Sequence, residues 1–116
     1  MENGEIADSQ ISASSRWDNN HAAIQGRLHF KQRGIKQGGW STRPNNLNQW
    51  FQVDLGSFTT VAGIATQGRN SYRYRQFVKS FNLQYSSDGV IFQFYKETWN
   101  SSAKVNSWKR RGGYFS

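Results

Sequence analysis

The stretch SFNLQYS at residues 80–86 decides the fold class. Phe81, Leu83 and Tyr85 alternate with polar residues, which is the period of a β-strand with one buried face. Ser87-Asp88-Gly89 follows directly and is typical of a turn, because glycine adopts positive φ at little cost. We therefore predict a hairpin at this point in the chain, with the apolar face of its first strand turned towards the core.

The second strand of this hairpin is predicted at Val90–Tyr95, and two more strands are predicted upstream. Trp50–Leu55 and Val61–Thr66 are rich in aromatic and β-branched residues, and Gly56-Ser57 between them is typical of a turn. Ile6–Ala13 is a weaker candidate for a further strand. No segment of useful length has the period of a helix, so the sequence predicts an all-β fold.

Long polar loops separate these strands, at residues 14–22, 32–48 and 68–76. Short strands joined by long loops predict an antiparallel β-sandwich or jelly roll. Long loops on a rigid sandwich commonly carry the function of such a domain.

The chain has 116 residues, enough for one domain, and a formal net charge of +8. No run approaches the roughly 20 apolar residues of a membrane span. Half of the net charge lies in residues 99–116, which hold Lys and Arg but no acidic residue. A basic balance favours nucleic acid, acidic glycans or anionic lipid as partners, although a solvated basic surface accounts for it equally well.

The pattern of strands stops after Thr98. Residues 99–116 follow neither the strand nor the helix period and end in KRRGGYFS, so we predict a basic tail that is disordered or unrelated to the sandwich. The chain has no cysteine, which by itself leans towards a reducing compartment. The first 15 residues contain neither a basic nor an apolar segment and do not form a signal peptide.

Five blocks of the sequence resemble the discoidin family, also called the coagulation factor 5/8 type C domain. They are ENGEI with DSQISASS within residues 2–15, NQWFQVDLG at 48–56, TQGR at 66–69, VKSF at 78–81 and LQYSSDG at 83–89. The resemblance covers about residues 1–98 and implies a β-sandwich of the galactose-binding-domain type that lacks its last strands. It implies an incomplete domain over residues 1–98, followed by the basic tail.

Family members usually carry a disulfide that joins the two ends of the domain, and Ser41 stands where a cysteine often follows the Gly-Gly-Trp motif. The absence of cysteine therefore fits truncation and one substitution, which weakens the argument for a reducing compartment. The resemblance implies an extracellular or cell-surface location, as part of a longer secreted chain.

The resemblance also implies that three loops at one end of the sandwich bind the ligand. We call them loop 1 (residues 15–22), loop 2 (residues 38–49) and loop 3 (residues 68–78). In the family, such loops bind anionic membranes, galactose-like sugars, collagen or protein termini. The candidate ligand-binding residues are Trp17, Asp18, Asn19, Arg43, Asn45, Asn46, Arg69, Tyr72, Arg73, Tyr74 and Arg75.

The chemistry of these side chains suits an anionic or carbohydrate ligand. Tryptophan and tyrosine rings stack on sugars or lie at a lipid interface, and arginine pairs with phosphate, sulfate or carboxylate. Each residue has a plain structural reading as well, in which Trp17 packs against the sandwich and the arginines are merely solvated. We expect His21 and Trp40 to be structural.

The resulting hypothesis is a non-catalytic binding or adhesion module that recognises a cell-surface glycan, an anionic membrane surface or a matrix protein. We expect no enzyme activity and no cofactor, because His21 and His29 lack metal-ligand spacing and the chain has no phosphate-binding loop. Structural calcium at Asp18 or Asp88 is compatible with the sequence but not required. Asn100-Ser101-Ser102 fits the N-glycosylation sequon. The alternatives are a basic nucleic-acid-binding protein, for which the family blocks offer no support, and an accessory targeting module of an enzyme.

Overall fold

A computed structural model of the chain describes residues 5–100 and 106–115, and for residues 58–60, 62–63, 95–100 and 106–115 it describes the backbone alone. The described residues form five β-strands and three short 3-10 helices. The strands are β1 (Ile11–Ala13), β2 (Phe51–Ile64), β3 (Ser80–Ser86), β4 (Gln93–Asn100) and β5 (Asn106–Phe115), and the 3-10 helices are Asp8–Gln10, Asn19–His21 and Ala23–Gly26. None of the helices in the described ranges is long and apolar enough to cross a membrane.

The strands form one sheet in the order β1-β2-β5-β3-β4, and every neighbouring pair is antiparallel. β5 lies between β2 and β3, where Phe115 is opposite Val53 on one side and Tyr85 on the other. This mostly β architecture confirms the predicted fold class, and the long segments between β1, β2 and β3 are the predicted loops.

The structure differs from our prediction for the end of the chain. We predicted a disordered or unrelated tail over residues 99–116, but β4 continues to Asn100 and Asn106–Phe115 forms the central strand β5. A central strand obtains backbone hydrogen bonds from two neighbours, so pairing can hold a segment that lacks the two-residue period. The two-residue alternation in the sequence therefore did not indicate β5, whose pairing partners β2 and β3 are far away in the sequence. Residues 101–105 and 116 lie outside the described residues.

A second difference concerns Gly56. We predicted two strands with a turn at Gly56-Ser57, whereas β2 is one strand whose pairing with β5 is interrupted between Asp54 and Thr59. Gly56 has φ 75°, a conformation that favours glycine, and its amide donates to Asp54 Oδ1 over 2.8 Å. The turn signal was correct for the local backbone, but the chain bulges and continues in the same sheet.

The core of the described residues is small and is centred on Leu83, which is only 6% exposed. The predicted alternation in β3 is confirmed, because Leu83 is buried while Asn82 is exposed. The partly buried side chains packed against Leu83 are Leu55, Val61, Ile64, Phe81 and Tyr85. The bulge in β2 separates Leu55 from Val61 and Ile64, and both parts of the strand contribute to this core.

The turn after β3 is held by two side chains. Ser86 Oγ accepts the amide hydrogen of Gly89 at 2.9 Å, and Asp88 Oδ1 accepts those of Val90 and Ile91 at 2.9 and 3.0 Å. The returning strand starts at Gln93 instead of the predicted Val90, because these bonds use the Val90 and Ile91 amides within the turn. Val90 and Ile91 are exposed. The turn lies at the end of β3 that is far from loop 3, since loop 3 leads into the start of β3.

We predict that the Asp88→Ala variant is less stable than the parent chain at neutral pH and that the difference narrows in acid. Hydrogen bonds from the amides of Val90 and Ile91, and then from Ser86, lower the pKa of Asp88 below its ordinary value of 3.8. A carboxylate whose pKa is lower in the folded state stabilises that state at pH values above its ordinary pKa. This contribution is lost as the pH falls through the lowered pKa. Thermal unfolding of both chains from pH 7 to below pH 3.8 measures this, with Ser87→Ala as the control. Parallel pH profiles for the variant and the parent would contradict the prediction.

Candidate functional site

Backbone hydrogen bonds join loop 1 to loop 2. The amide of Trp17 donates to Ser41 O over 2.7 Å, and the amide of Ser41 donates to His21 O over 3.3 Å. Side chains reinforce this contact, because Trp40 Nε1 donates to Ser15 O over 2.8 Å and the Arg43 amide donates to Ser15 Oγ over 3.1 Å. Loops 1 and 2 are therefore fixed side by side.

Loop 3 is joined to the other side of loop 2 through Gly38. The amide of Asn70 donates to Gly38 O over 2.8 Å. The approach is so close that a Cβ atom on Gly38 would lie 2.0 Å from Asn70 O, a distance that no side chain can occupy. Loop 2 thus lies between loops 1 and 3, and the structure brings all three predicted loops together.

Arg69 braces loop 3 from within. Its guanidinium donates to Gln37 Oε1 over 2.6 Å and to Gln76 Oε1 over 2.7 Å, and it lies 4.7 Å from the centre of the Tyr74 ring. These contacts give Arg69 a structural role that the sequence did not distinguish from ligand binding. Tyr74 is about half exposed beneath this guanidinium.

Asp18 and His21 form the turn of loop 1. Asp18 Oδ1 lies 2.7 Å from His21 Nδ1 and accepts the amide hydrogen of Asn20 over 2.8 Å. The hydrogen bond with His21, ahead of the one from Asn20, lowers the pKa of Asp18 below 3.8. His21 has a structural contact, as expected, but the side chain that caps the 3-10 helix Asn19–His21 is that of Asp18.

Trp40 is structural, as predicted from its position in the Gly-Gly-Trp motif. Its ring lies 5.3 Å from that of Phe51 in β2, with the two planes tilted by 53°. Because its indole nitrogen also holds loop 1, Trp40 connects loops 1 and 2 to the sheet.

Each loop exposes at least one apolar or amphipathic side chain, and loop 3 exposes several, namely Tyr72, Tyr74, Phe77 and Val78. Trp17 of loop 1 is 53% exposed, whereas Leu47 of loop 2 and Tyr72 of loop 3 are fully exposed. The Arg43 guanidinium lies 5.1 Å from the centre of the Trp17 ring, so this arginine and the indole form one cation–π pair at the surface. Sequence reasoning missed Leu47, although an apolar residue within the run Asn45-Asn46-Leu47-Asn48 was a usable signal.

The polar residues around these tips have mixed roles. Asn46 Oδ1 accepts hydrogen bonds from the Asn48 amide at 3.0 Å and from Gln49 Nε2 at 2.8 Å, so Asn46 shapes the turn that carries Leu47. The remaining predicted residues lie exposed in their loops, and they are Asn19, Asn45, Arg73 and Arg75.

The three loops carry a strong excess of positive charge. They hold one acidic residue and five basic ones, namely Arg16, Arg43, Arg69, Arg73 and Arg75. Asp18 is therefore the only acidic residue in loops 1 to 3, and its carboxylate already bonds within its turn. Such a surface attracts anions and repels other cations.

No group of three or more His, Cys, Asp or Glu side chains that could hold a metal ion occurs among the residues that the structure describes. Asp18 and Asp88, which we considered for structural calcium, each accept local hydrogen bonds. Asn100 is the last residue of β4, and the serines that would complete its sequon lie outside the described residues.

Comparison with known proteins assigns this fold and loop arrangement to a family. The sequence model of the F5/8 type C domain matches residues 10–112. The chain belongs to the F5/8 type C, or discoidin, family. This discoidin domain is 36% identical to mouse lactadherin over 108 residues, which is 90% of this chain and 23% of that protein. The match reaches residue 112, beyond the domain boundary that we predicted at residue 98.

Other relatives agree with this assignment. The discoidin domain is 38% identical over 108 residues to the human EGF-like repeat and discoidin I-like domain-containing protein 3, and 34% identical over 108 residues to coagulation factor V of Pseudonaja textilis. These matches cover 90% of this chain but only 22% and 7% of those proteins. The chain therefore spans a quarter or less of these relatives.

A solved structure supports the fold. Recombinant discoidin II of Dictyostelium discoideum superposes with a TM-score of 0.80 and 21% sequence identity, over 90% of the discoidin domain and 46% of that chain. At this identity the likeness concerns the fold alone.

Proposed function

We propose that this discoidin domain is a non-catalytic, extracellular binding module that attaches to anionic phospholipid surfaces through loops 1 to 3. The observation that carries the proposal is that each of the three hydrogen-bonded loops exposes an apolar or amphipathic tip and that the same loops carry exposed cations. Trp17, Leu47 and Tyr72 are the tips, and the exposed cations in the same loops are Arg16, Arg43, Arg73 and Arg75.

A lipid surface fits both chemical features of the loops. Tryptophan and tyrosine favour the headgroup level of a bilayer, and a leucine side chain gains about 1.5–3 kcal/mol when it leaves water completely. Each Lys or Arg near an anionic membrane adds about 1 kcal/mol of attraction. The hydrogen bonds between the loops hold the tips before binding, which reduces the entropy lost on association.

An acidic glycan is the second candidate, and loop 3 favours it. Tyr72, Arg73 and Arg75 are exposed next to one another, so the ring could stack on a sugar while the guanidinium groups pair with sulfate or carboxylate. Leu47 argues for the bilayer instead, because a fully exposed leucine has no partner in a polar glycan.

The Trp17→Ala/Leu47→Ala/Tyr72→Ala variant tests the proposal. We expect the parent chain to co-sediment with vesicles of phosphatidylserine and phosphatidylcholine but not with vesicles of phosphatidylcholine alone. Because three apolar side chains are removed from the interface, the variant should bind at least about a hundredfold more weakly. Val90→Ala/Ile91→Ala is the matched control, since both side chains are exposed in the turn far from loop 3.

Two outcomes would contradict the lipid proposal. One is equal binding to both vesicle types. The other is retained binding by the triple variant while the folded state, measured by thermal unfolding, is unchanged. Binding to a sulfated glycan array, with no binding to vesicles, would favour the second candidate.

A further inference from the structure

A cleft lies beside β1, the strand at one edge of the sheet. Within residues 5–100 and 106–115, β1 pairs with β2 alone, so its other edge faces away from the sheet. The 3-10 helix Ala23–Gly26 lies next to this strand. The cleft has a volume of about 420 Å³ and is lined by residues of β1, by the start of loop 1 and by the first residues of the helix. We call it the β1 cleft, and none of the three loop tips lines it.

The outer edge of β1 presents backbone groups that can pair with another chain. The amide of Ser14 donates to Trp50 O over 3.0 Å, so the Ser14 N–H points to the side of β2. The N–H and C=O groups of successive residues in an antiparallel strand point to alternate sides. Ser12, which is opposite Gln52, therefore bonds to β2 as well, whereas the N–H and C=O of Ala13 point away from it. Ala13 also lines the cleft, so these backbone groups lie beside it.

The wall of the β1 cleft is mostly aliphatic. Ile11 and Ala13 contribute from β1, and Ala22, Ala23 and Ile24 contribute from the segment that lies next to it. Ile11 is only 6% exposed, and the other four side chains are partly buried. Such a wall suits an aliphatic side chain of a ligand. The described lining offers no aromatic ring on which a sugar could stack.

One cation lies at the β1 cleft. Arg16 lines the cleft, is exposed, and has neither a hydrogen bond nor an ion pair in the described part of the chain. The ion pairs recorded there join Asp8 to Arg27 and Asp18 to His21. Among the described residues that line the cleft, none is acidic. A carboxylate can therefore pair with Arg16 without displacing an internal partner.

We propose that the β1 cleft binds an extended acidic peptide segment of a partner protein by strand addition. The peptide backbone pairs with the outward N–H and C=O of Ala13, an aliphatic side chain of the peptide occupies the cleft, and a carboxylate of the peptide pairs with Arg16. Strand addition takes its affinity from backbone hydrogen bonds and its specificity from side-chain pockets, and the edge of β1 offers both. A lipid would use the aliphatic wall but leave the backbone groups of Ala13 without a partner. The inference goes beyond the proposed function, because its ligand is a peptide and its site excludes the three tips.

A set of short peptides tests the inference in solution. Acetyl-Thr-Val-Thr-Val-Thr-amide, a sequence of strand-forming residues, is prepared unchanged and with glutamate at each position in turn. Each peptide is titrated into the isotopically labelled chain, and the amide resonances are followed by NMR. For at least one glutamate peptide we expect saturable shifts at residues 11–13 and 22–24, with slower hydrogen exchange at the Ala13 amide. The unchanged peptide should bind about fivefold more weakly than the tightest glutamate peptide. No saturable shift at these residues with any peptide would overturn the inference.

Backbone methylation distinguishes strand addition from other modes of binding. Two forms of the tightest peptide carry N-methyl groups on alternate amides, in opposite phase. Because only alternate amides of an extended peptide point towards β1, one form should lose binding and the other should retain it. Equal loss or equal retention in the two forms would overturn strand addition.

Variants of the chain test the two side-chain contacts. Arg16→Gln should bind the tightest glutamate peptide about fivefold more weakly, whereas Lys79→Gln, which removes an exposed cation next to β3, should bind it as the parent does. Ala23→Leu should fill the cleft and weaken the same peptide about tenfold, whereas Ala65→Leu, at an exposed position after β2, should have no effect. Thermal unfolding shows whether each variant is folded. Unaltered affinity in folded Arg16→Gln or in folded Ala23→Leu would overturn the inference. Because the peptides are soluble and no vesicles are present, that result would leave the proposed function intact.

Discussion

Substitution of Gly38 by alanine is expected to separate loop 3 from loop 2 and to destabilise the domain by about 1–3 kcal/mol. The alanine Cβ would lie 2.0 Å from Asn70 O and 2.8 Å from the Asn70 carbonyl carbon, so the steric conflict is with backbone. Backbone cannot rotate away as a side chain can. The hydrogen bond from the Asn70 amide to Gly38 O must therefore lengthen or break.

Gly39→Ala is the matched control for this prediction. The nearest atom to a Cβ at Gly39 is Arg69 Cα at 3.5 Å, which is an ordinary contact, so this variant should unfold within about 0.5 kcal/mol of the parent. Urea unfolding measures the stability of both variants, and amide hydrogen exchange at Asn70 reports the local contact. We expect faster exchange at Asn70 in Gly38→Ala alone. Equal stability and equal exchange in the two variants would show that the loops do not depend on this contact.

Gly38→Ala should also weaken vesicle binding, although Gly38 is not itself a proposed contact with the membrane. The alanine displaces loop 3 from loop 2, and loop 3 carries Tyr72 and Arg73. If loops 1 to 3 act as one surface, this variant should bind vesicles more than about tenfold more weakly than Gly39→Ala, since misplaced contacts no longer form together. Binding equal to that of the control, in spite of lost loop contact, would show that loop 3 acts alone.

Leu83→Ala is expected to destabilise the domain by about 2–5 kcal/mol, which is the range for leucine removed from a packed core. Leu83 is the buried residue at the centre of the described core, and the side chains around it come from both parts of β2 and from β3 itself. A cavity at this point removes contacts from all of them at once. For a domain of about this size, whose total stability is commonly 5–15 kcal/mol, such a loss is a large fraction.

Leu47→Ala provides a control with the same chemistry. Leu47 is fully exposed, so its removal should change the stability by no more than about 0.5 kcal/mol while weakening vesicle binding. Leu83→Ala should lower the stability and leave vesicle binding unchanged under conditions in which the variant remains folded, because Leu83 lies in the core and not in loops 1 to 3. Circular dichroism during thermal unfolding, together with vesicle co-sedimentation, measures both effects. A stable Leu83→Ala chain would contradict the assignment of the core.

The parts of the fold that were predictable from sequence are those set by local patterns. The alternation in β3 identified Leu83, and Ser86 to Gly89 identified the turn, because strand period and turn chemistry act within a few residues. The strand β5 was missed because the partners that hold it, β2 and β3, begin 55 and 26 residues before it. At Gly56 the signal for positive φ was present, but sequence alone does not say whether the chain turns back or bulges and continues.

The same distinction applies to the candidate site. Residue types and the family resemblance indicated which loops to consider, and the structure joins those loops. The sequence did not show that Arg69 has a structural role whereas Arg73 and Arg75 are exposed. The two glutamines that accept hydrogen bonds from Arg69 lie 39 residues apart in the sequence. The contact at Gly38 was not predictable either, because the glycine is the only feature of the sequence that indicates the close approach of two backbone segments.

The central position of β5 has a consequence for how the domain is made. β2 and β3 emerge from the ribosome first, yet in the sheet they are neighbours of β5 and not of each other. Until Phe115 is available, each of them lacks a hydrogen-bonding partner along one edge, and such edges pair readily with other chains. Pairing between segments distant in sequence is also slow. The nascent chain is therefore most exposed to misassembly during the interval before β5 is synthesised, and a chaperone that covers β2 and β3 in that interval would act where the need is greatest.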